Sequence, residues 1–267
     1  MGDRLKGKVA IVTGAGSSGP GWGNGKATAV LFAREGARVF GVDMNEAAIA
    51  ETKAIVDTEG GAFTAHVADI TDDGAVSALV ARCVEIYGRV DVLHNNVGIY
   101  EKGSVGTRDR AYWDRVNAIN TTSMFLMCKH AMARMVTQGE GGSVINLSSI
   151  AAIRGQAPDY AIYCTTKAAA LGLTRSLAIE YAKHRIRVNA LLPGMIDTPL
   201  ALEPIRKTVS SDEFQRILGE RAAKNPLGRA GTGFDVAKAA LFLASDDAAF
   251  ITGIELVVDG GLSLKLF

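Results

Sequence analysis

The amino-terminal part of the chain reads as a strand, a glycine-rich loop and a helix, in that order. Residues 8–13 are apolar and short enough for a buried strand, and residues 26–34 have helical character. Residues 14–25 lie between them, with glycine at about every second position, so they continue neither element. Glycines let a backbone approach a pyrophosphate, and a helix N-terminus offers free N–H groups with a partial positive charge. The sequence therefore favours a phosphate-binding unit at residues 8–34.

Strands and helices alternate along the rest of the sequence. Further strands are predicted at residues 37–43, 62–67, 90–94, 142–147 and 186–191, and further helices at 73–87, 112–136 and 159–183. This alternation is typical of a parallel sheet with helices on both faces, in which ligands lie at the carboxyl ends of the strands. We therefore predict an α/β fold, with one doubly wound, Rossmann-like domain over 1–267 and a parallel seven-stranded sheet.

Composition excludes several classes of protein. The chain has 267 residues, 48% of them hydrophobic, so it can bury a large core. Its net charge of +1 gives no electrostatic reason to expect binding to nucleic acid. Its three cysteines and four histidines are scattered, which argues against a disulfide framework and a metal site. No apolar run approaches the ~20 residues of a membrane span, and no secretory segment begins the sequence. We expect a cytoplasmic protein with no membrane partner.

Tyr163 and Lys167 form a candidate proton-transfer pair. They lie four positions apart, so a helix places both on one face. A nearby ammonium favours the phenolate by roughly 1–3 pK units, which brings a phenol of pKa ~10 towards the neutral range. An isolated pair of this kind more often only shares an exposed helix face. Tyr160 is a weaker candidate, because Cys164 rather than a cation stands four positions later.

Two carboxylates follow predicted strands. Asp43 ends the second strand, where a dinucleotide fold places an acid for the adenosine ribose hydroxyls. A turn or cap residue is the alternative for Asp43. Asp69 follows the third strand, and its alternative is to cap the helix that begins near Asp73. Because Asn95 and Ser149 also follow strands, all four point to one edge of the sheet.

These segments together resemble the short-chain dehydrogenase/reductase family over nearly the whole chain. Further matches are Asn95-Asn96-Val97-Gly98, Ser148-Ser149, Pro193-Gly194 and the ending Val258-Asp259-Gly260-Gly261. The resemblance implies hydride transfer between a nicotinamide and a small-molecule alcohol or carbonyl. It implies that the cofactor is bound by Gly14, Gly23, Asn24, Gly25, Asp43, Asp69, Ile70, Asn96, Gly98, Tyr163, Lys167, Pro193, Gly194, Ile196 and Thr198.

The same resemblance implies a catalytic set of four residues: Asn120, Ser149, Tyr163 and Lys167. Tyr163 would exchange a proton with the substrate oxygen, Ser149 would hold that oxygen, and Lys167 would bind the nicotinamide ribose and lower the pKa of the tyrosine. Asn120 is expected to distort its helix and so hold a water that passes protons from Lys167 to solvent. Asn117 is its rival, and we interpret Asn117 as a surface residue.

The chain departs from the family pattern at two places. Gly14 and Gly23 are nine positions apart, which leaves about five extra residues around Ser18 to Trp22. Either the turn bulges outward there, or Gly19 and Gly21 take over part of the cradle. Ser149 also stands one residue farther than usual from the catalytic tyrosine, and we place the extra residue between Gly155 and Ala161.

Four further expectations complete the prediction. NAD is preferred over NADP, because Asp43 would repel a 2′-phosphate, although Lys26 could offset part of that repulsion. Residues 195–230 form a substrate lid. The apolar faces of 112–136, 159–183 and 250–267 favour a homotetramer. A catalytically weak dinucleotide-binding regulatory or scaffold protein is the alternative function, since a fold does not determine an activity.

Overall fold

The computed structural model of the protein describes residues 2–155 and 159–265. Within these residues, seven parallel strands form one sheet in the order β3-β2-β1-β4-β5-β6-β7. The strands are β1 (Val9–Thr13), β2 (Arg38–Asp43), β3 (Ala62–Val67), β4 (Val92–Asn95), β5 (Gly142–Leu147), β6 (Ile186–Pro193) and β7 (Glu255–Val258). The strand order reverses between β1 and β4, and this is the point at which sheets of this type bind ligands.

The helices connect the strands. They are α1 (Asn24–Arg34), α2 (Glu46–Thr58), α3 (Asp73–Tyr87), α4 (Arg110–Asn117), α5 (Ser123–Gln138), α6 (Ala161–Tyr181), α7 (Pro199–Arg206), α8 (Ser211–Lys224) and α9 (Gly233–Ala244). A π-helical turn, Ala118–Thr122, joins α4 to α5.

Two apolar clusters cover the two faces of the sheet. Val30 and Phe32 of α1 and Leu241 of α9 belong to one cluster. Leu79 of α3 and Met127 of α5 belong to the other. Because both faces are buried, the central strands are mostly apolar, as in β1, where all five residues are buried and four of them are apolar. The predicted parallel seven-stranded sheet with helices on both faces is confirmed.

Three of the predicted elements have the bounds seen in the structure. The strands at 62–67 and 142–147 and the helix at 73–87 have the predicted bounds. The helix predicted at 112–136 is instead interrupted by the π turn, and the lid region contains two helices, α7 and α8. Among the residues described, no helix has both the length and the apolar character of a membrane span. The single domain over 1–267 stays a prediction.

Candidate active site

The loop after β1 meets the loop after β4 at the carboxyl edge of the sheet. The Asn96 side chain donates to the carbonyls of Thr13 and Gly14, both at 3.1 Å, and the Thr13 hydroxyl accepts from the Asn96 N–H at 3.0 Å. Gly14 has a φ of +63°, and a Cβ there would lie 2.7 Å from the Asn96 amide nitrogen. A Cβ on Gly25 would lie 1.9 Å from the Gly14 carbonyl oxygen. These two glycines are therefore required where α1 crosses the end of β1.

The N-terminus of α1 is open to a ligand. Its N-cap, Gly23, provides no side-chain cap, so the first N–H groups of the helix lack a capping partner among the described residues. A pyrophosphate fits such a place, because N–H groups and the helix dipole both favour an anion.

The extra residues of the glycine loop bulge outward. Ser18, Pro20 and Gly21 are exposed. A Cβ on Gly19 would lie 2.9 Å from the Cγ of Glu203 in α7, so the bulge lies against this helix. The structure thus matches the first of the two alternatives. Gly23 is under less constraint than Gly14 or Gly25, since a Cβ there would make only ordinary contacts.

Asp43 ties the end of β2 to the glycine loop. Its carboxylate accepts from the N–H groups of Gly16 and Asn45, each at 2.9 Å. Lys26 is 2% exposed, and its ammonium lies 2.5 Å from a carboxylate oxygen of Glu51. We predict that Lys26 offsets part of the repulsion between Asp43 and a 2′-phosphate. Glu51 competes for the charge of Lys26, because the two residues already form an ion pair.

Asp69 is exposed just after β3, and Ile70 beside it is buried. One carboxylate oxygen of Asp69 accepts from both the N–H and the hydroxyl of Thr71, at 2.9 and 2.8 Å. The cap of α3 is Asp72, whose side chain accepts from the Ala75 N–H. The alternative interpretation of Asp69 as the helix cap is therefore wrong.

The π turn holds Asn120 against the loop after β4. Asn120 is fully buried; its amide oxygen accepts from the Ile99 N–H at 2.8 Å, and its amide nitrogen donates to the Ile99 carbonyl and the Thr166 hydroxyl, both at 3.1 Å. Asn117 instead bonds the Trp113 carbonyl of its own helix. The expected helix distortion thus occurs at Asn120, and single-turn π bulges of this kind are frequent at functional sites.

Lys167 lies between Asn120 and β5. Its ammonium donates to the Leu147 carbonyl at 2.9 Å and lies 5.8 Å from the centre of the Tyr163 ring. A Cβ on Gly98 would lie 3.1 Å from that ammonium, so glycine leaves the room that the lysine needs. The Ser149 hydroxyl accepts from the Ala151 N–H at 3.1 Å. The four predicted catalytic residues therefore converge at the ends of β4 and β5.

Burial determines the proton affinities of this cluster. It raises the pKa of Tyr163 to about 12, and a hydrogen bond with Ser149 acts more weakly in the opposite direction. It lowers the pKa of Lys167 from 10.5 to about 8. We expected Lys167 to lower the pKa of the tyrosine, but in this structure desolvation of the phenolate dominates. The phenol is therefore protonated at neutral pH, which is the form that donates a proton.

The segment after β6 completes the site on the other side. The Gly194 N–H donates to the Val258 carbonyl at 3.0 Å, directly after Pro193 ends the strand. Ile196 pairs with Gly231, and Thr198 is the N-cap residue of α7; both are buried. Pro193, Gly194, Ile196 and Thr198, all predicted to bind the cofactor, thus lie in one stretch at the carboxyl edge of the sheet.

Two further side chains lie near the site, in segments expected to determine the substrate, although the sequence assigns neither of them a role. Tyr100 stacks on Tyr160, with ring centres 4.8 Å apart, and stands perpendicular to Tyr163 at 5.1 Å. Its position two residues after the Asn95–Gly98 motif was the available signal. Arg221 of α8 donates to the Asp197 carboxylate at 2.8 Å, and nothing in the sequence indicates this pairing. The extra residue placed between Gly155 and Ala161 falls partly on residues 156–158, outside the described residues.

Comparison with known proteins identifies the family. The family model described as enoyl-(acyl carrier protein) reductase matches residues 20–263. The solved structure of a short-chain dehydrogenase/reductase from Burkholderia xenovorans is 43% identical, covers 99% of this chain and 100% of its own, and superimposes with a TM-score of 0.94. The chain belongs to the short-chain dehydrogenase/reductase family. Members of this oxidoreductase family typically use a nicotinamide cofactor.

Two curated relatives match the short-chain dehydrogenase/reductase over almost its full length. The 2-(S)-hydroxypropyl-CoM dehydrogenase 3 of Xanthobacter autotrophicus is 36% identical, with 98% of this chain and 99% of the relative covered. The 2,5-dichloro-2,5-cyclohexadiene-1,4-diol dehydrogenase of Sphingobium indicum is also 36% identical, with 99% of each chain covered. Both names describe dehydrogenases of small hydroxylated molecules.

Proposed function

We propose that the protein transfers a hydride between NAD(H) and a secondary alcohol or ketone, with Tyr163 as the general acid and base. The observation that carries the proposal is the convergence of Tyr163, Ser149, Lys167 and Asn120 beside the glycine loop. A proton donor, a hydroxyl that can orient an oxygen, and a buried cation thus lie at the edge where a dinucleotide would bind. The names of the two dehydrogenase relatives support the substrate class.

The residues present fit a nicotinamide dinucleotide. The uncapped N-terminus of α1 would hold the pyrophosphate, and Gly14 and Gly25 leave space that any Cβ would fill. Asp43 would accept from the adenosine ribose hydroxyls, while Asp69 and Ile70 would line the adenine pocket. When bound, the cofactor supplies or accepts the hydride.

In carbonyl reduction, Tyr163 donates its proton to the substrate oxygen as that oxygen gains negative charge. The raised pKa keeps the donor protonated at neutral pH. Ser149 orients the oxygen and stabilises the developing charge. In the oxidation direction Tyr163 would accept the proton of the substrate hydroxyl, and the positive charge of Lys167 and of a bound oxidised nicotinamide would favour the phenolate that this requires.

Lys167 and Asn120 would return the proton to solvent. The ammonium of Lys167 would hold the nicotinamide ribose, and its pKa of about 8 suits proton exchange near neutral pH. The π turn leaves backbone groups around Asn120 outside the regular helical ladder, where a water can bind. This route connects the buried phenol with the surface.

The experiment that tests the proposal compares Tyr163→Phe with the wild type. Phenylalanine keeps the ring packing but removes the proton, so the rate of carbonyl reduction should fall by ~10²–10⁴-fold, while the Kd for NADH changes little. The rate of Ser149→Ala should lie between those of the wild type and Tyr163→Phe, because this variant loses the group that orients the substrate oxygen but keeps the proton donor. If Tyr163→Phe kept more than about a tenth of the wild-type rate, another residue would be the acid, with Tyr160 the first to test.

A second experiment distinguishes the proposed enzyme from the alternative, a regulatory or scaffold protein. A regulatory or scaffold protein on this fold would bind NADH without oxidising it in the presence of any ketone or aldehyde. A titration of NADH binding, run beside a screen of carbonyl compounds and alcohols with both cofactors, separates the two. Binding without turnover across the screen would favour the alternative.

A further inference from the structure

Tyr100 presents an aromatic ring next to the proposed proton donor. It lies in the loop after β4, and its ring stands at 86° to that of Tyr163, with centres 5.1 Å apart. The residue is 39% exposed although its ring lies against that of the half-buried Tyr163. A large aromatic side chain that stays accessible beside the reacting group is available to a substrate.

The ring of Tyr100 lies against two other tyrosine rings, and only Tyr160 is stacked on one of its faces. It stacks on Tyr160 at an interplanar angle of 19°, and Tyr160 is 6% exposed. The ammonium of Lys102 lies 5.8 Å from the centre of the Tyr160 ring. Because the stack covers one face of Tyr100, the accessible surface belongs to its other face and its edges. Tyr160 is thus a buried support, and Tyr100 is the surface that it supports.

We propose that Tyr100 is a specificity-determining residue and that the substrate is a cyclic secondary alcohol or cyclic ketone, whose ring packs on the accessible face of Tyr100 while its oxygen reaches Tyr163. This inference rests on the function proposed above. It adds a substrate class and a residue that selects it.

The preference for a ring follows from the shape and rigidity of the two partners. A cyclic molecule covers a flat aromatic face in one conformation, so it loses little conformational entropy on binding. An open chain of the same size must be ordered first, and it covers the face less completely. Burial also raises the pKa of Tyr100, so the phenol stays neutral and its ring stays an apolar surface.

The test compares cyclohexanone with 3-hexanone, which has the same number of carbon atoms in an open chain. The kcat/KM for each ketone is measured with NADH, and their ratio is the selectivity. The wild type should favour cyclohexanone. Tyr100→Ala should lower the ratio about three- to tenfold, the range expected for losing one aromatic contact. Tyr100→Phe should keep the ratio, because the ring and not the hydroxyl makes the contact.

Two controls separate selectivity from folding. Tyr87→Ala removes a tyrosine from α3, where its hydroxyl lies 2.8 Å from that of Thr64 in β3, and should leave the ratio unchanged. Tyr100→Leu keeps apolar volume without a flat face, so it provides a second variant if Tyr100→Ala unfolds. It should also lower the ratio.

The failures of the two proposals are distinguishable. An unchanged ratio in both Tyr100→Ala and Tyr100→Leu, or a wild type that favours 3-hexanone, would overturn the role of Tyr100 while leaving the oxidoreductase function intact. Absence of NADH oxidation with every carbonyl compound would overturn the proposed function, and the inference about the substrate with it.

Discussion

A buried histidine in the central sheet should make the protein sensitive to acid. His94 lies in β4, between β1 and β5, and is fully buried. Neither of its ring nitrogens has a hydrogen-bond partner among the described residues. Burial disfavours the charged imidazolium and lowers the pKa of His94 from 6.5 to about 4.

The sign and size of the effect follow from proton linkage. The folded-state pKa lies below that of the unfolded chain, so below pH 6.5 the unfolded state binds a proton that the folded state binds only near pH 4. Stability is therefore lost as the pH falls through this window. A difference of about 2.5 pK units corresponds to about 3 kcal/mol of unfolding free energy.

The variant His94→Leu tests this reasoning, because leucine has a similar volume and does not titrate. Between pH 7 and pH 4.5, its unfolding free energy in urea should fall about 2–3 kcal/mol less than that of the wild type, at equal protein concentration. His184→Gln, in the turn after α6, is the matched control and should keep the wild-type pH dependence. If His94→Leu lost as much stability as the wild type over the same range, His94 would not be a source of acid sensitivity.

Three further predictions concern the cofactor and the assembly. Asp43→Ser should raise the kcat/KM with NADPH relative to NADH, since it removes the charge expected to repel a 2′-phosphate; equal or better efficiency of the wild type with NADPH would contradict the NAD preference. The affinity for NADH should fall as the pH rises through about 8, where Lys167 loses its charge, and Lys167→Met should bind NADH weakly at all pH values; the check is fluorescence titration from pH 6 to pH 10. Light scattering at micromolar concentration should report a tetramer, since Phe125, Ile179 and Phe250 are exposed on the segments predicted to pair, whereas a monomer would refute this.

The fold class could be predicted from the amino-acid sequence alone, and so could the edge of the sheet at which the candidate site lies. Strands buried on both faces are mostly apolar, and helices that cover one face are apolar every three to four residues, so the order of the elements can be predicted from the chain. Parallel strands also place all their carboxyl ends at one edge. The polar residues after strands, from the Gly14 loop to Ser149, are therefore predictable as neighbours from the sequence alone.

Tertiary structure alone decided how these residues act on one another. The pKa of Tyr163 depends on the desolvation of the whole cluster, which no spacing along the chain encodes, so the expected effect of Lys167 did not dominate. The stack of Tyr100 on Tyr160 joins the loop after β4 to the start of α6, and the pairing of Arg221 with Asp197 joins α8 to the segment after β6. Contacts between elements distant in sequence depend on the packing of the whole chain, whereas helical and strand periodicity are local and can be read from it directly.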